Sequence, residues 1–152
     1  MNGAVAVLAG LLAALVPRAT AAAPEDAFGI WRTGDGRAAV ELLPCAESLC
    51  GRLVWYVETR GGADAGLDSR NPDPAQRARR LCGLPLLGGF RRDGGNGWSD
   101  GWVYDPASGN RYSGTIVAEG ADRLGLRGYV GLPLFGRSER WTRAPADQER
   151  CR

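Results

Sequence analysis

Apolar and polar residues alternate in short runs along most of this chain, and glycine and proline interrupt the runs at close intervals. Alternation over a few residues is typical of a strand that buries one face. Turn-forming sequences such as Gly34-Asp35-Gly36 separate the runs. The pattern predicts eight strands, over residues 28–33, 37–43, 49–57, 84–92, 98–104, 111–118, 122–130 and 135–143.

The alternation also predicts which side chains share the apolar face of each strand. These sets are Leu53, Trp55 and Val57; Trp98, Trp102 and Tyr104; Tyr112, Ile116 and Ala118; and Leu124, Leu126 and Val130. By the same count, Asp100 and Glu139 fall on apolar faces, so we expect each either to be paired inside the protein or to lie near an opening.

Eight strands with one apolar face each need a common interior. Because nearly every connection is a short hairpin, we expect an all-β fold, a closed antiparallel eight-stranded up-and-down β-barrel. Two packed sheets would satisfy the same alternation and stay an alternative.

Residues 58–81 form a long stretch that the hairpin pattern does not explain. Asn71-Pro72-Asp73-Pro74 predicts a short helix that starts at Pro74 with Asp73 as its cap. Because long connections without regular structure are usually functional or disordered, this stretch is the candidate for a lid or rim over one end of the barrel.

The N-terminus differs from the rest of the chain. Residues 4–16 contain only Ala, Val, Leu and Gly, and small residues follow at 19–23. The apolar run is too short for a membrane span, so residues 1–23 are predicted to be a secretory signal peptide cleaved after Ala23, with cleavage after Ala21 or Ala22 as alternatives. An uncleaved anchor is the alternative. We expect a periplasmic or secreted bacterial protein whose single domain covers residues 24–152, with a core at 28–143 and a tail at 144–152.

Export gives the four cysteines a structural interpretation, because oxidising compartments permit disulfides. Cys45 and Cys50 flank a predicted four-residue hairpin loop, where cross-strand pairing fits disulfide geometry. By elimination, Cys82 would pair with Cys151 and attach the tail to the middle of the chain. A reactive or metal-binding thiol is the alternative.

Composition removes several chemistries. All 19 cationic side chains are Arg, since the chain has neither Lys nor His. This excludes Ser-His-Asp and Cys-His sites, imidazole metal ligands, Schiff-base lysines and P-loops. A net charge of +2 also disfavours a nucleic-acid-binding face. We therefore expect no cofactor and no metal, while oligomeric state stays open.

Carboxylates are the conventional acid–base groups that remain, and a pair at a suitable distance hydrolyses glycosides. The candidates are Asp64, Asp68, Asp73, Asp100, Asp105 and Glu139. Turn formation or helix capping explains several of them equally well, so no residue is assigned a catalytic role.

Barrel mouths are common sites for small ligands and are lined by aromatic and a few polar side chains. The candidate ligand-binding residues are Trp55, Asp68, Asn71, Trp98, Trp102, Tyr104 and Tyr112. Arg clusters suggest that the ligand is apolar or anionic. Three hypotheses follow: an exported barrel that binds a small apolar or amphipathic ligand or an envelope partner, a carboxylate-dependent envelope hydrolase, and a structural module with a filled barrel.

Several spaced motifs carry a family resemblance. They are Gly29-Ile-Trp31-Arg-Thr33, Asn71-Pro-Asp-Pro74, Tyr104-Asp-Pro106 with Gly109-Asn-Arg-Tyr112, and Arg127-Gly-Tyr129 through Phe135-Gly-Arg-Ser138 to Trp141. In this order they resemble the bacterial domain-of-unknown-function family 2147, whose members are small exported β proteins. Two departures are that the family often has Lys at the Asn110-Arg111 position and commonly lacks the cysteines. The resemblance implies a fold rather than an activity.

A weaker similarity is to lipocalins. Gly29-x-Trp31 on the first strand, with Arg140 or Arg143 on the last, resembles the lipocalin pair in which an Arg packs across a Trp at the base of the barrel. Such a contact would give these four residues a structural role through cation–π attraction.

Overall fold

The computed structural model describes residues 27–152, and the predicted signal peptide and its cleavage site lie outside them. Eight antiparallel strands close into a barrel in sequence order, which confirms the predicted up-and-down β-barrel and excludes the two-sheet alternative. The strands are β1 (Gly29–Arg32), β2 (Ala38–Cys45), β3 (Ser48–Tyr56), β4 (Pro85–Arg92), β5 (Gly97–Asp105), β6 (Asn110–Ala118), β7 (Arg123–Tyr129) and β8 (Arg137–Arg143). The β1–β8 pairing that closes the barrel is short, with Trp31 opposite Arg143 and Arg32 opposite Thr142.

Two β-bulges change the direction of side chains that simple alternation placed inside. In β3 the pairing with β2 skips Val54, so Leu53 points inward while Trp55 lies outside against Arg32. In β5 the register shifts between Trp98 and Gly101. The predicted shared faces are therefore wrong at these two strands.

The bulge in β5 has a visible residue-level cause. Asp100 adopts a left-handed φ of 60°, a conformation that Asp tolerates better than most residues. Its side chain is exposed, so the prediction of an interior or mouth position for Asp100 is wrong. Beyond the bulge, Trp102 and Tyr104 follow the outer face and Val103 takes the inner one.

The two ends of the barrel are packed differently. We call the end with the turns at residues 45–48, 93–96 and 119–122 the closed end, and the end with residues 33–37, 57–84, 106–109 and 130–136 the open end. Large buried side chains fill the closed end; they are Trp31, Leu42, Leu49, Phe90, Trp98, Ile116 and Leu124. The Phe90 ring lies so close over Gly101 and Gly114 that a Cβ on either glycine would collide with it.

The long connection, residues 57–84, contains two short 3₁₀ turns, Gly62–Asp64 and Pro74–Gln76. The second begins at the predicted proline, and the Asp73 carboxylate accepts a hydrogen bond from the Ala75 N–H at 3.0 Å, as expected for its cap. Leu81 and Leu84 are buried in the core. The connection is thus an ordered part of the barrel rather than a separate unit.

Two disulfides confirm both predicted pairings. Cys45–Cys50 joins β2 and β3 across their hairpin, and Cys82–Cys151 links the long connection to the C-terminal tail. The tail runs along the outer surface, where the Cys151 N–H donates to the Val54 carbonyl at 2.7 Å. Arg150 of the tail also pairs with Glu41 at 2.7 Å.

Candidate ligand-binding site

A cavity of about 340 Å³ opens at the open end of the barrel; we call it the mouth cavity. Its inner walls are apolar and include the buried side chains of Val40, Leu53, Leu86, Leu87 and Trp141. The closed end is filled, whereas this space remains at the open end, where the turn 33–37 joins β1 to β2.

Trp141 is the polar feature of the inner wall. Its side chain is 4% exposed, and its Nε1–H is the one buried side-chain polar atom without a hydrogen-bond partner among residues 27–152. Buried N–H groups are nearly always paired in native proteins, so an unpaired one in a residue that lines a cavity calls for an explanation.

Charged and aromatic groups form the rim of the mouth cavity. Arg37, Tyr56 and Arg60 line it from the turn 33–37, β3 and the long connection, respectively. The Arg60 guanidinium is held in place by the carbonyls of Leu67 at 2.5 Å and Pro106 at 2.8 Å. The rim therefore places at least one immobilised cation beside an apolar space, which suits an amphipathic or anionic ligand.

Three carboxylates also line the rim, and each is engaged by a turn. Asp35 accepts from Arg37 N–H and from the Thr33 hydroxyl, and these hydrogen bonds hold the pKa of Asp35 below its ordinary value. Asp105 accepts from the Ala107 N–H at 2.9 Å. Glu139 Oε1 accepts from the Gly34 N–H at 2.8 Å.

The predicted interior pairing of Glu139 or Asp100 with an Arg is absent from the described residues. The ion pairs there involve Glu41 with Arg52 and Arg150, Asp68 with Arg79, and Glu119 with Arg140. Glu139 lies at the rim, which agrees with the second of its two predicted positions, near an opening. Asp100 is exposed on the outer bulge.

Three of the predicted ligand-binding residues meet in a buried polar cluster beside the mouth. Asp68 is 0% exposed and accepts from the Tyr104 hydroxyl at 2.6 Å, from Asn71 Nδ2 at 2.8 Å and from the Arg79 guanidinium at 2.8 Å. Burial, reinforced by the Asp68 carboxylate, raises the pKa of Tyr104 to about 12. These contacts attach the long connection to β5.

A shallow groove of about 290 Å³ on the outer wall, the side groove, runs next to this cluster. Asn71, Arg79, Trp102 and Arg111 contribute to it. The Arg111 guanidinium covers the Trp102 ring at 4.2 Å, and the same indole packs against Gly88. Trp102 thus presents no free ring face on which a ligand would stack.

The other predicted site residues lie apart. Trp98 is buried at the closed end and contacts Arg92. Trp55 is on the outer surface under Arg32, and Tyr112 is half-buried on β6, opposite Val103. The structure brings together Asp68, Asn71, Trp102 and Tyr104, but not these three.

The base of the barrel carries the Arg–Trp contact suggested by the lipocalin similarity. The Arg143 guanidinium lies 4.0 Å from the centre of the Trp31 ring and donates to the Phe28 carbonyl at 2.7 Å. A Cβ on Gly29 would approach this guanidinium to 2.9 Å, so glycine leaves it room. Arg140 instead points outward and pairs with Glu119 at 2.8 Å.

Sequence reasoning missed most of the side chains that line the mouth cavity, including Tyr56, Val103, Arg60 and Trp141. The bulges reversed the expected faces of β3 and β5, so the inward positions of Tyr56 and Val103 had no signal in the hydropathy pattern. Trp141 did have a signal in the sequence. It lies two positions after Glu139 on the last strand, so both side chains are predicted to share one face.

Comparison with known proteins agrees with this geometry. A family model described as "Uncharacterized protein conserved in bacteria (DUF2147)" matches residues 29–143. The chain belongs to this family. No curated protein matches it. For this DUF2147 chain, the family description assigns no activity.

Two solved structures resemble this DUF2147 chain. Protein HP1028 from Helicobacter pylori, described as belonging to the lipocalin family, is 19% identical, with a TM-score of 0.68 over 78% of this chain and 83% of that one. A redesigned beta barrel is 10% identical, with a TM-score of 0.44 over 84% of this chain and 99% of that one. The first match shows that the DUF2147 barrel is lipocalin-like.

Two absences complete the description of the site. Within residues 27–152, no helix is long and apolar enough to cross a membrane. The same residues hold no group of three or more His, Cys, Asp or Glu side chains placed to bind a metal ion.

Proposed function

We propose that this protein is exported and binds a small amphipathic ligand in the mouth cavity. The observation that carries the proposal is the combination of an apolar inner wall with an Arg-containing rim at one end of an otherwise filled barrel. A volume of about 340 Å³ lies at the lower end of the range for small-molecule sites. The ligand is therefore either a small molecule or a longer molecule of which only one end enters the cavity.

The unpaired Trp141 N–H refines the chemistry of that ligand. Because Trp141 lines the mouth cavity, an acceptor oxygen of the ligand at the inner wall is the partner that we propose for this N–H, and such a ligand is not purely hydrocarbon. Arg37 and Arg60 at the rim favour an anionic or strongly polar outer group.

Export rests on two further supports. The apolar run at residues 4–16 with the small residues at 19–23 suits a signal peptide. Disulfides account for all four cysteines of the chain, and such bonds persist mainly in oxidising compartments. Expression of the full chain followed by mass determination of the periplasmic product tests this part; a product that retains residue 1 contradicts it.

Binding is tested on that processed product with a fluorescent long-chain fatty acid, cis-parinaric acid, and by native mass spectrometry for a ligand that co-purifies. Val103→Trp, which places bulk in the mouth cavity, is expected to weaken binding of the probe about tenfold or more. Val117→Trp, on the outer face of β6, is the matched control and is expected to bind normally.

Trp141→Phe keeps an aromatic ring but removes the N–H donor. We expect it to weaken binding of an ω-hydroxy fatty acid roughly fivefold, because the distal hydroxyl oxygen reaches the inner wall while the carboxylate stays at the Arg rim. Binding of cis-parinaric acid, which has no distal oxygen, should be unchanged in Trp141→Phe. Equal binding of cis-parinaric acid by the wild type and Val103→Trp would refute the mouth cavity as the site, and equal binding of the ω-hydroxy acid by the wild type and Trp141→Phe would refute the role of the N–H.

The hydrolase hypothesis has less support. The rim carboxylates accept hydrogen bonds from backbone N–H groups of the open-end turns, and the Asp35 pKa is lowered rather than raised. A glycosidase acid needs the opposite shift, because it must hold a proton at neutral pH. The geometry therefore favours binding over hydrolysis.

A further inference from the structure

The segment between β7 and β8, residues 130–136, carries a cluster of exposed apolar side chains. Val130, Leu132, Leu134 and Phe135 are 71%, 62%, 80% and 75% exposed. We call this segment the lip. It lies at the open end, where β7 ends and β8 begins, on the same end of the barrel as the mouth cavity.

Part of the backbone of the lip is already hydrogen-bonded. Arg127 Nε donates to the Pro133 carbonyl at 2.8 Å, and another nitrogen of the same guanidinium donates to the Leu134 carbonyl at 3.3 Å. The Phe135 N–H donates to the Leu132 carbonyl at 3.1 Å. Because unpaired backbone groups are costly to remove from water, this arrangement reduces the penalty for inserting the lip into a less polar medium.

The charged residues that flank the lip in sequence are cations, although the rim carboxylates Asp35, Asp105 and Glu139 lie at the same end of the barrel. Arg127 and Arg137 bracket it, and residues 127–138 contain no Asp or Glu. The half-buried Tyr129 adds an amphipathic ring at its base. Apolar tips flanked by cations bind anionic lipid surfaces through burial and electrostatic attraction together.

From these observations we propose that the lip is a membrane-docking element that inserts into the interface of an anionic phospholipid bilayer and brings the open end of the barrel to its surface. A bilayer is favoured over an aqueous protein partner because the exposed apolar tip is flanked by Arg127 and Arg137 and the segment 127–138 carries no acidic residue. The inference goes beyond ligand binding, because docking can be measured with the mouth cavity blocked.

The test is co-sedimentation of the processed product with vesicles of phosphatidylcholine alone or with about 30% phosphatidylglycerol. We expect binding to the anionic vesicles, and weaker binding in about 0.5 M NaCl because salt screens the Arg contribution. Replacing Leu132, Leu134 and Phe135 together by Ser is expected to reduce binding at least about tenfold.

The matched control replaces the exposed apolar residues Val57 and Val117 by Ser, and it should bind as the wild type does. All variants share the same N-terminus, so a difference in vesicle binding between them measures the contribution of the lip. Circular dichroism and binding of the fatty-acid probe establish that the lip variant is folded.

The outcomes separate the two proposals. Val103→Trp should lose the probe but keep vesicle binding, whereas the lip variant should do the reverse. No binding of the wild type to anionic vesicles, or equal binding by the lip variant, overturns the inference. A concentration-dependent dimer that the lip variant abolishes, without vesicle binding, would assign the lip to a second copy of the chain and overturn it as well.

Discussion

Asp68 is the residue that most directly holds the long connection against the barrel at the open end. It is a fully buried carboxylate whose three side-chain partners come from β5 and from two points of the long connection. Its own N–H and carbonyl also pair within the connection, with Arg79 and Asn71. A single residue thus joins both sides of a loop and one wall of the barrel, although the sequence presented it as a candidate ligand contact.

Asp68→Asn preserves the shape of the side chain but removes its charge and places an amide donor where an acceptor is required. Since Asn keeps only one acceptor oxygen, either the Tyr104 hydroxyl or the Arg79 and Asn71 donors would lose their acceptor, and Arg79 would lose its ionic partner, so we expect the free energy of unfolding to fall by about 2–4 kcal/mol. Urea denaturation measures this loss. Asp64→Asn, in the exposed turn of the same connection, should change it by less than about 0.5 kcal/mol, and equal effects of the two substitutions would contradict the role of the cluster.

Tyr104 makes the free energy of unfolding depend on pH in the alkaline range. Its pKa is raised from 10 to about 12 in the folded protein, so above pH 10 the folded state retains a proton that the unfolded state has lost. The stabilisation is complete below pH 10 and disappears as the pH rises through about 12. Urea midpoints from pH 9 to pH 12 should fall more steeply for the wild type than for Tyr104→Phe, in which this proton is absent; parallel curves would refute the assignment.

At the scale of elements, the positions of the strands followed from the sequence, while the directions of several side chains did not. Alternation between turns locates a strand without reference to its neighbours, and all eight strands formed near their predicted bounds. A bulge, in contrast, is a property of a pair of strands. The extra residue in β3, Val54, is an ordinary strand residue, so only its pairing with β2 reveals it.

The β5 bulge did leave a trace in the sequence. Asp100 lies between Ser99 and Gly101, and Asp is one of the few residues that adopts a positive φ readily. Its appearance on an otherwise apolar face predicts either a paired interior charge or a position near an opening, whereas in the structure it marks the point where the face changes. The candidate site was only partly predictable for this reason, because the walls of the mouth cavity depend on both bulges.

The two disulfides should contribute unequally to stability. Cys82–Cys151 spans 69 residues and holds the tail on the outer surface, whereas Cys45–Cys50 spans 5 residues in a hairpin that backbone pairing already closes. In the chain-entropy model the longer loop contributes about 4 kcal/mol and the shorter about 2 kcal/mol. Replacing each pair by Ser and measuring urea denaturation should show this order. An equal or reversed order would mean that the tail adds little to the folded barrel.

The molecule as a whole is divided along the barrel axis into a packed half and an open half. Large aromatic and aliphatic side chains fill the closed end, and the disulfide of the β2–β3 hairpin lies there too. The mouth cavity, the buried Asp68 cluster and the exposed lip are all at the other end. In this arrangement the packed half maintains the fold, so binding groups at the open half can change without loss of the fold.

This division predicts where a ligand alters backbone protection. Hydrogen exchange measured by mass spectrometry, with and without saturating cis-parinaric acid, should slow at the open-end turns 33–37 and 106–109, which border the mouth cavity. The closed-end turns 93–96 and 119–122 should be unchanged, because filled packing separates them from the ligand. Protection confined to residues 71–79 would instead place the probe in the side groove. Protection spread evenly over both ends would indicate general stabilisation of the folded state, and the mouth cavity would then have no special part in binding.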